Sequence, residues 1–333
     1  VRSVLGQPGG PRLVVGCVGI VVTGLLVAFV TLMHGATWST PGETLAGLLG
    51  HGEQTFVITR WRAPQVSAAL VFGAALGLSG AVFQNLTRNP LGSPDIIGLE
   101  ASAFTGALVV TACLSGTAAQ VATGSVVAGL AAAVVVYALA RKGGFSGMRL
   151  VVIGIAVNAM VTATNQWLVI RADLEVAMAT TAWSAGSLNG TDWHDVRLPF
   201  ALIAALAVGL ALSARTMHQA ALGDDLATTS GVRLGPHRLA LVVLGVGCTA
   251  TVTAVAGPIS FVALAAPQIG RRITGSAGVP LLPAALTGAL LLAASDLLAQ
   301  TLTRPVPLPV GMITTAVGGA YLIWLLVMEV RKR

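Results

Sequence analysis

Long apolar runs alternate with short polar breaks along the whole chain. Leu13–Met33, Ala63–Asn85, Ile96–Leu114, Ala118–Ala140, Met148–Ile170, Leu198–Ser213, Leu239–Ala256, Leu281–Leu302 and Val310–Val327 are apolar throughout most of their length, and Ile259–Ile269 is a shorter run behind Gly257-Pro258. A helix that crosses a bilayer needs ~20 apolar residues, and most of these runs approach or reach that length. Stretches such as Val126–Val136 show no alternation of apolar and polar positions, so barrel strands are excluded and helices are predicted. The predicted fold is therefore all-α: a polytopic membrane protein with ten spans, read as a single domain over residues 1–333. The first run is longer than the apolar core of a secretory signal, so it is read as an uncleaved span.

The breaks are as informative as the runs. Phe83–Gly98 is polar and rich in Pro and Gly. Pro90 and Pro94 lack a backbone N–H and push Asn89 and Ser93 away from helix, so the chain must stop, turn and re-enter. Gly257-Pro258 and Pro267 bracket a segment too short to cross upright at ~1.5 Å per residue. Broken helices at membrane depth need protein or a cavity around them. His34–Trp61 is polar and is expected to hold a short amphipathic helix near Pro41–Leu49. Arg171–Arg197 is a polar segment with Asp173, Glu175, Asp192 and Asp195. Arg215–Arg238 is the longest loop on its side, and Ala221–Val232 reads as a short helix ended by Gly231. Asp224 and Asp225 stand in its first turn, where acids suit the helix dipole. Gly73 and Gly77 form a small-residue pair that permits close helix approach.

Composition agrees with the pattern. The chain has 55% hydrophobic and 9% charged residues, with a mean hydropathy of +0.85, whereas a soluble domain carries about 25% charge. The net charge of +7 resembles that of a nucleic-acid binder, but its distribution says otherwise. Ten spans place Arg2, Arg12, Arg88, Arg141, Lys142, Arg149, Arg215, Arg233, Arg238, Arg271, Arg272, Arg331, Lys332 and Arg333 on one side, 14 of the 19 basic residues. Arg60, Arg62, Arg171, Arg197 and Arg304 fall on the other. The positive-inside rule makes the first side cytoplasmic, with both termini there, and nucleic acid is not needed to explain the excess. Cys17, Cys113 and Cys248 lie inside apolar runs without a Cys-x-x-Cys pair, so they are read as packing residues.

Candidate chemistry is sparse. Asp296 is the clear intramembrane charge, and such a group costs ~2.5–3.5 kcal/mol on insertion scales. A helix-packing role and a functional one are both open for it. An ion-driven transporter wants several such groups. The histidines, His34, His51, His194, His218 and His237, lie in loops, and no Gly-x-Ser-x-Gly or phosphate-binding Gly-x-x-x-x-Gly-Lys-Ser/Thr occurs. No catalytic residue, metal site or bound cofactor is expected, and energy must come from a partner.

Six motifs in order carry a resemblance. They are Arg62-Ala63-Pro64-Gln65, Arg88-Asn89-Pro90-Leu91-Gly92-Ser93-Pro94-Asp95, the Leu222-Gly223 to Gly231 loop, Gly257-Pro258-Ile259-Ser260-Phe261, Ala266-Pro267-Gln268-Ile269-Gly270-Arg271-Arg272 and Leu308-Pro309-Val310-Gly311. From Leu13 to Arg333 the chain resembles the FecCD-type permeases, membrane subunits of ABC importers for ferric siderophores, haem and vitamin B12. The resemblance implies the type II ABC importer permease fold in the bacterial cytoplasmic membrane. It implies a second permease subunit, related but non-identical, two ATPase subunits that hold the ATP and Mg, and an extracytoplasmic siderophore-binding protein. It implies that residues 221–232 form the coupling helix, with Ala221, Leu222, Gly223, Asp224, Asp225 and Gly231 facing the ATPase. The cytoplasmic gate falls on Asn89, Leu91, Gly147 and Met148. Binding-protein docking falls on Arg62, with Arg60 and Arg304 in place of the basic residues that relatives carry where Gln65 and Gln300 stand. A further departure is Gln268, where a histidine is common. Asn158, Asn165 and Gln166 on the fifth span are candidates for the translocation path or for helix packing. A catecholate siderophore is the first-choice cargo, with hydroxamate, haem and cobalamin after it. An ion-coupled secondary transporter and a membrane scaffold are the alternatives.

Overall fold

The computed structural model describes residues 10–35, 38–95, 98–114, 116–141, 145–278, 280–303 and 306–330. Its helices are α1 (Gly10–Met33), α2 (Pro41–Leu48), α3 (Ala63–Thr87), α4 (Leu99–Leu114), α5 (Ala118–Arg141), α6 (Gly147–Arg171), α7 (Leu174–Ser184), α8 (Trp193–Ala221), α9 (Asp224–Thr229), α10 (Leu234–Ala256), α11 (Val262–Thr274), α12 (Leu281–Leu302) and α13 (Val310–Val330). A π-helical turn, Val57–Arg62, leads directly into α3. Among the described residues no strand occurs. Among the described residues, seven helices are long and apolar enough to cross a membrane: α1, α3 with its π turn, α5, α6, α8, α10 and α12. Leu99–Ala112 and Val310–Trp324 are shorter apolar stretches, and α11 is the segment behind the Gly257-Pro258 break.

The bundle is built around α3. Its core side chains, Phe72, Leu76, Val82 and Phe83, are almost wholly buried, and α12, α11, α10 and α8 pack around it. Small residues permit this. A methyl group built on Gly73 would lie 2.3 Å from the Gly288 carbonyl oxygen, and one on Gly80 would lie 1.7 Å from that of Ala263. The expected close approach at Gly73 and Gly77 is thus with α12, where Ala284 and Gly288 meet them. Without water between helices, such backbone contact supplies dispersion energy that larger residues would prevent. Buried polar groups tie the same helices together. Ser79 Oγ donates to the Gly245 carbonyl of α10 at 2.8 Å. Gln84 Nε2 donates to Leu264 O of α11 at 3.0 Å, and Gln268 Nε2 donates to Gln84 Oε1.

Several boundaries differ from the sequence reading. The sixth span was expected as Leu198–Ser213 and runs as α8 from Trp193 to Ala221. A capping box, Asp192 with Asp195, starts it early. Its charged and polar C-terminal turns reach beyond the apolar run, so Arg215–Arg238 is mostly helix. The Ala221–Val232 helix is shorter than expected: Ala221 ends α8, Leu222 caps it, and only Asp224–Thr229 is helical. The segment Arg171–Arg197 holds α7, which its mixed polarity concealed. The segment behind Gly257-Pro258 is Val262–Thr274 instead of Ile259–Ile269. Ile96, Ile97 and Arg304 lie outside the described residues.

Candidate functional site: the coupling segment and the gate loops

Gly223 has φ 125° and ψ 154°, a backbone conformation that essentially only glycine adopts. No atom lies within 4 Å of a methyl built there, so the backbone and not crowding demands glycine. Gly231, at φ 86°, closes the segment. Between them Ala227 is fully buried and anchors α9, while Asp225, Leu222 and Leu226 are exposed. Two exposed leucines on an otherwise polar loop form small apolar knobs.

Asp224 points back into the protein. Its Oδ1 accepts from Arg88 Nη2 at 2.6 Å, and Arg238 Nη2 donates to Oδ1 and Oδ2 at 2.7 and 2.8 Å. These bonds, Arg238 first, hold the Asp224 carboxyl below its ordinary pKa. Arg88 Nη2 also donates to Ala220 O at 3.1 Å. Arg88 caps α3 in the left-handed region, φ 50°, which turns the chain sharply into the Asn89-Pro90 loop. In that loop Asn89 Oδ1 accepts from the Leu91 N–H at 2.9 Å, and Leu91 is exposed.

Arg238 leads to the other gate segment. Its guanidinium lies 4.5 Å from the centre of the Phe145 ring, an attractive cation–π placement. Phe145 sits two residues before Gly147. A methyl on Gly147 would lie 2.7 Å from Thr87 Cα, so the start of α6 rests on the end of α3. Met148 beside it is exposed. The structure therefore brings all four expected gate residues to the same end of α3. Asp224 closes a ring with them: Arg88 and Thr87 on one side, Arg238, Phe145 and Gly147 on the other. Arg238 and Phe145 escaped the sequence reading, because nothing in their spacing marks them.

The gate loop is also held from its far end. Asp95 Oδ2 accepts from the Phe261 N–H at 3.0 Å, and Ser260 Oγ donates to Glu100 Oε2 at 3.0 Å. Phe261 has φ 70°, unusual for a bulky residue. Asp95 and Glu100 thus face the first turn of α11, where acids are favoured. Asp296 is consequently not the one buried acid among the described residues. Glu100 is buried at the start of α4, inside the run read as Ile96–Leu114.

Asp296 is 1% exposed. Gln65 Nε2 donates to its Oδ1 at 3.1 Å and Gln300 Nε2 to its Oδ2 at 2.7 Å. The two glutamines that depart from the family pattern are thus turned onto one carboxylate. Arg62 donates from Nη1 to Leu32 O at 2.8 Å and to Ser39 Oγ at 2.9 Å, where it satisfies the end of α1, while Arg60 is exposed. Asn165 is buried, accepts from Thr105 Oγ1 at 2.7 Å and donates to Ala101 O at 2.9 Å. Asn158 is half-buried against Gly98, and Gln166 is exposed. These three do not meet in one lining.

The model of the FecCD transport family matches residues 22–328. The chain is 43% identical to the ferric enterobactin transport system permease protein FepG of Escherichia coli, over 97% of this chain and 98% of that one. It is 34% identical to a siderophore transport system permease of Bacillus subtilis, YfhA, over 92% of this chain and 93% of that one. Among solved structures, a metal-chelate type ABC transporter in an inward-facing conformation superimposes with a TM-score of 0.81 at 25% identity, covering 94% of this chain and 98% of that one.

Proposed function

Because the chain belongs to the FecCD transport family, we propose that it is the permease subunit of an ABC importer that moves a ferric siderophore, of catecholate type, across the bacterial cytoplasmic membrane. Ten crossings and cytoplasmic termini go with this reading. So do two ATPase subunits, a second permease and an extracytoplasmic binding protein. The observation that carries the mechanism is the position of Asp224. It lies between a segment that offers Leu222, Asp225 and Leu226 outward and two arginines that reach the gate segments.

The chain makes and breaks no covalent bond. An ATPase seated on the exposed face of the Ala221–Gly231 segment shifts it as ATP binds. Asp224 passes that shift to Arg88, which is rigidly part of the end of α3, and to Arg238, whose ring contact reaches Phe145. Asn89 and Leu91 move with the first, Gly147 and Met148 with the second. Both lips of the gate then move together, because Gly147 rests on the Thr87 backbone. ATP and Mg belong to the partners, and this chain holds neither.

Reconstitution tests the reading. With both permeases, the ATPase and the binding protein in proteoliposomes, ferric catecholate siderophore accumulates only with ATP, and an ATPase lacking its phosphate-binding lysine abolishes uptake. Uptake by the lone chain under an ion gradient would support the secondary-transporter alternative instead.

A further inference from the structure

A crevice of about 470 Å³ opens on the flank of the bundle between α3, α8 and α12. Leu78, Ala207, Ala211, Ala214, Leu281 and Ala285 form its apolar walls. The space exists because α8 carries alanine at three successive turns of that face. Asn85, His218 and Ala221 stand at one end.

The surroundings identify what is next to it. Leu202, Val208 and Leu212 on α8 and Leu282 on α12 are exposed, on two helices that are long and apolar enough to cross the membrane. An apolar flank of this kind is suited to bilayer hydrocarbon. At the ~30 Å³ that one water takes up in the liquid, a crevice of about 470 Å³ has room on the order of one extended acyl chain. The polar end is basic. His218 lines it, exposed Arg215 lies within one turn of His218 on α8, and Arg88 bonds Ala220 O beside Ala221. Asp224 is held by both Arg88 and Arg238 and exposed Asp225 stands next to it, so the positive charge at this end is that of Arg215, and no acidic side chain lines the crevice.

We propose that this crevice holds one acyl chain of an anionic phospholipid, with its phosphate at the Arg215 and His218 end. Tail burial supplies affinity, and the basic end selects the headgroup.

Native mass spectrometry and lipid extraction of the whole transporter, purified in mild detergent, test this. The wild type retains a phospholipid that Ala211→Phe and Ala214→Leu lose, while assembly and melting temperature hold. Arg215→Glu keeps the crevice open but reduces the ratio of phosphatidylglycerol to phosphatidylethanolamine retained there by several-fold. Equal lipid content in the wild type and both filled variants overturns the proposal. Detergent alone in the crevice, or retention of lipid with no headgroup preference, overturns it as well. If a filled variant fails to assemble, the headgroup ratio of Arg215→Glu decides.

Discussion

Arg88 Nη2 lies 2.6 Å from Asp224 Oδ1, joining residues 136 positions apart. One stands at the last turn of the central helix, the other at the first turn of α9. The pair is half exposed, 52% and 43% for the two side chains. Such pairs add only ~0–1 kcal/mol to stability. Its value is directional: it fixes where the segment sits relative to the gate loop. Arg88→Ala, which leaves Asp224 with Arg238, is expected to lower the melting temperature by no more than a few degrees, with expression and membrane insertion unchanged, as thermal melts in detergent would show.

The sign of the pH dependence follows from the lowered Asp224 carboxyl. Its folded pKa lies below the unfolded one, so its contribution is complete above the ordinary aspartate range. It is lost only as pH falls through the depressed folded value. The stability difference between wild type and Asp224→Asn should therefore stay constant across the neutral and mildly acidic range and shrink only in strong acid. Melting curves over that range measure it. A difference that collapses near neutral pH would show that Asp224 is not held by the two arginines.

Gly223 and Gly80 are glycines for different reasons, and substitutions separate them. Gly80→Leu drives a side chain into the Ala263 carbonyl of α11 and should cost ~1–3 kcal/mol or more, read as loss of folded protein by size-exclusion chromatography. Gly223→Val meets open space but forces a conformation that costs ~1–3 kcal/mol at the segment alone. It should leave a folded permease that no longer co-purifies with its ATPase at wild-type yield.

Asp296 is predicted to be a packing centre. Asp296→Asn keeps an oxygen for the two half-buried glutamine amides, whereas Asp296→Leu removes the acceptor they share and leaves Gln65 only its longer bond to Asn189 Oδ1 at 3.4 Å. Leaving a buried polar group unpaired costs ~1–3 kcal/mol. The leucine variant should melt well below the asparagine variant, and Gln65→Leu combined with Asp296→Leu should recover part of the loss.

What the amino-acid order revealed depended on range. Apolar runs marked the helices, because lipid exposure demands them. Prolines at 90, 94 and 258 and the glycine at 231 marked the breaks, because each restricts or frees the backbone locally, whereas the break at Gly223 lay inside a stretch that reads as one helix. Ends were misplaced where caps and not apolarity decide them, as at Asp192, which starts α8 ahead of its hydrophobic stretch. The helix α7 went unseen because it is short and mixed in polarity. Partnerships across the fold were silent. Nothing adjacent to Asp224 indicates Arg238 or Phe145, and nothing near Gln65 indicates an acid 231 residues later. Arg62, a candidate for outer docking, also caps the end of α1 through bonds that only three-dimensional proximity reveals.

The charge-reversal cycle at Arg88 and Asp224 tests the central mechanical claim most directly. Reconstituted transporters carrying Arg88→Asp or Asp224→Arg should retain ATP hydrolysis yet take up ferric siderophore at least about tenfold more slowly. Because Arg238 also holds Asp224, the restoring variant combines Arg88→Asp, Asp224→Arg and Arg238→Asp, which puts opposite signs across both gaps and should regain a substantial part of that rate. Wild-type uptake by both single variants, or a triple variant no better than the worse single one, would mean that force reaches the gate by another route.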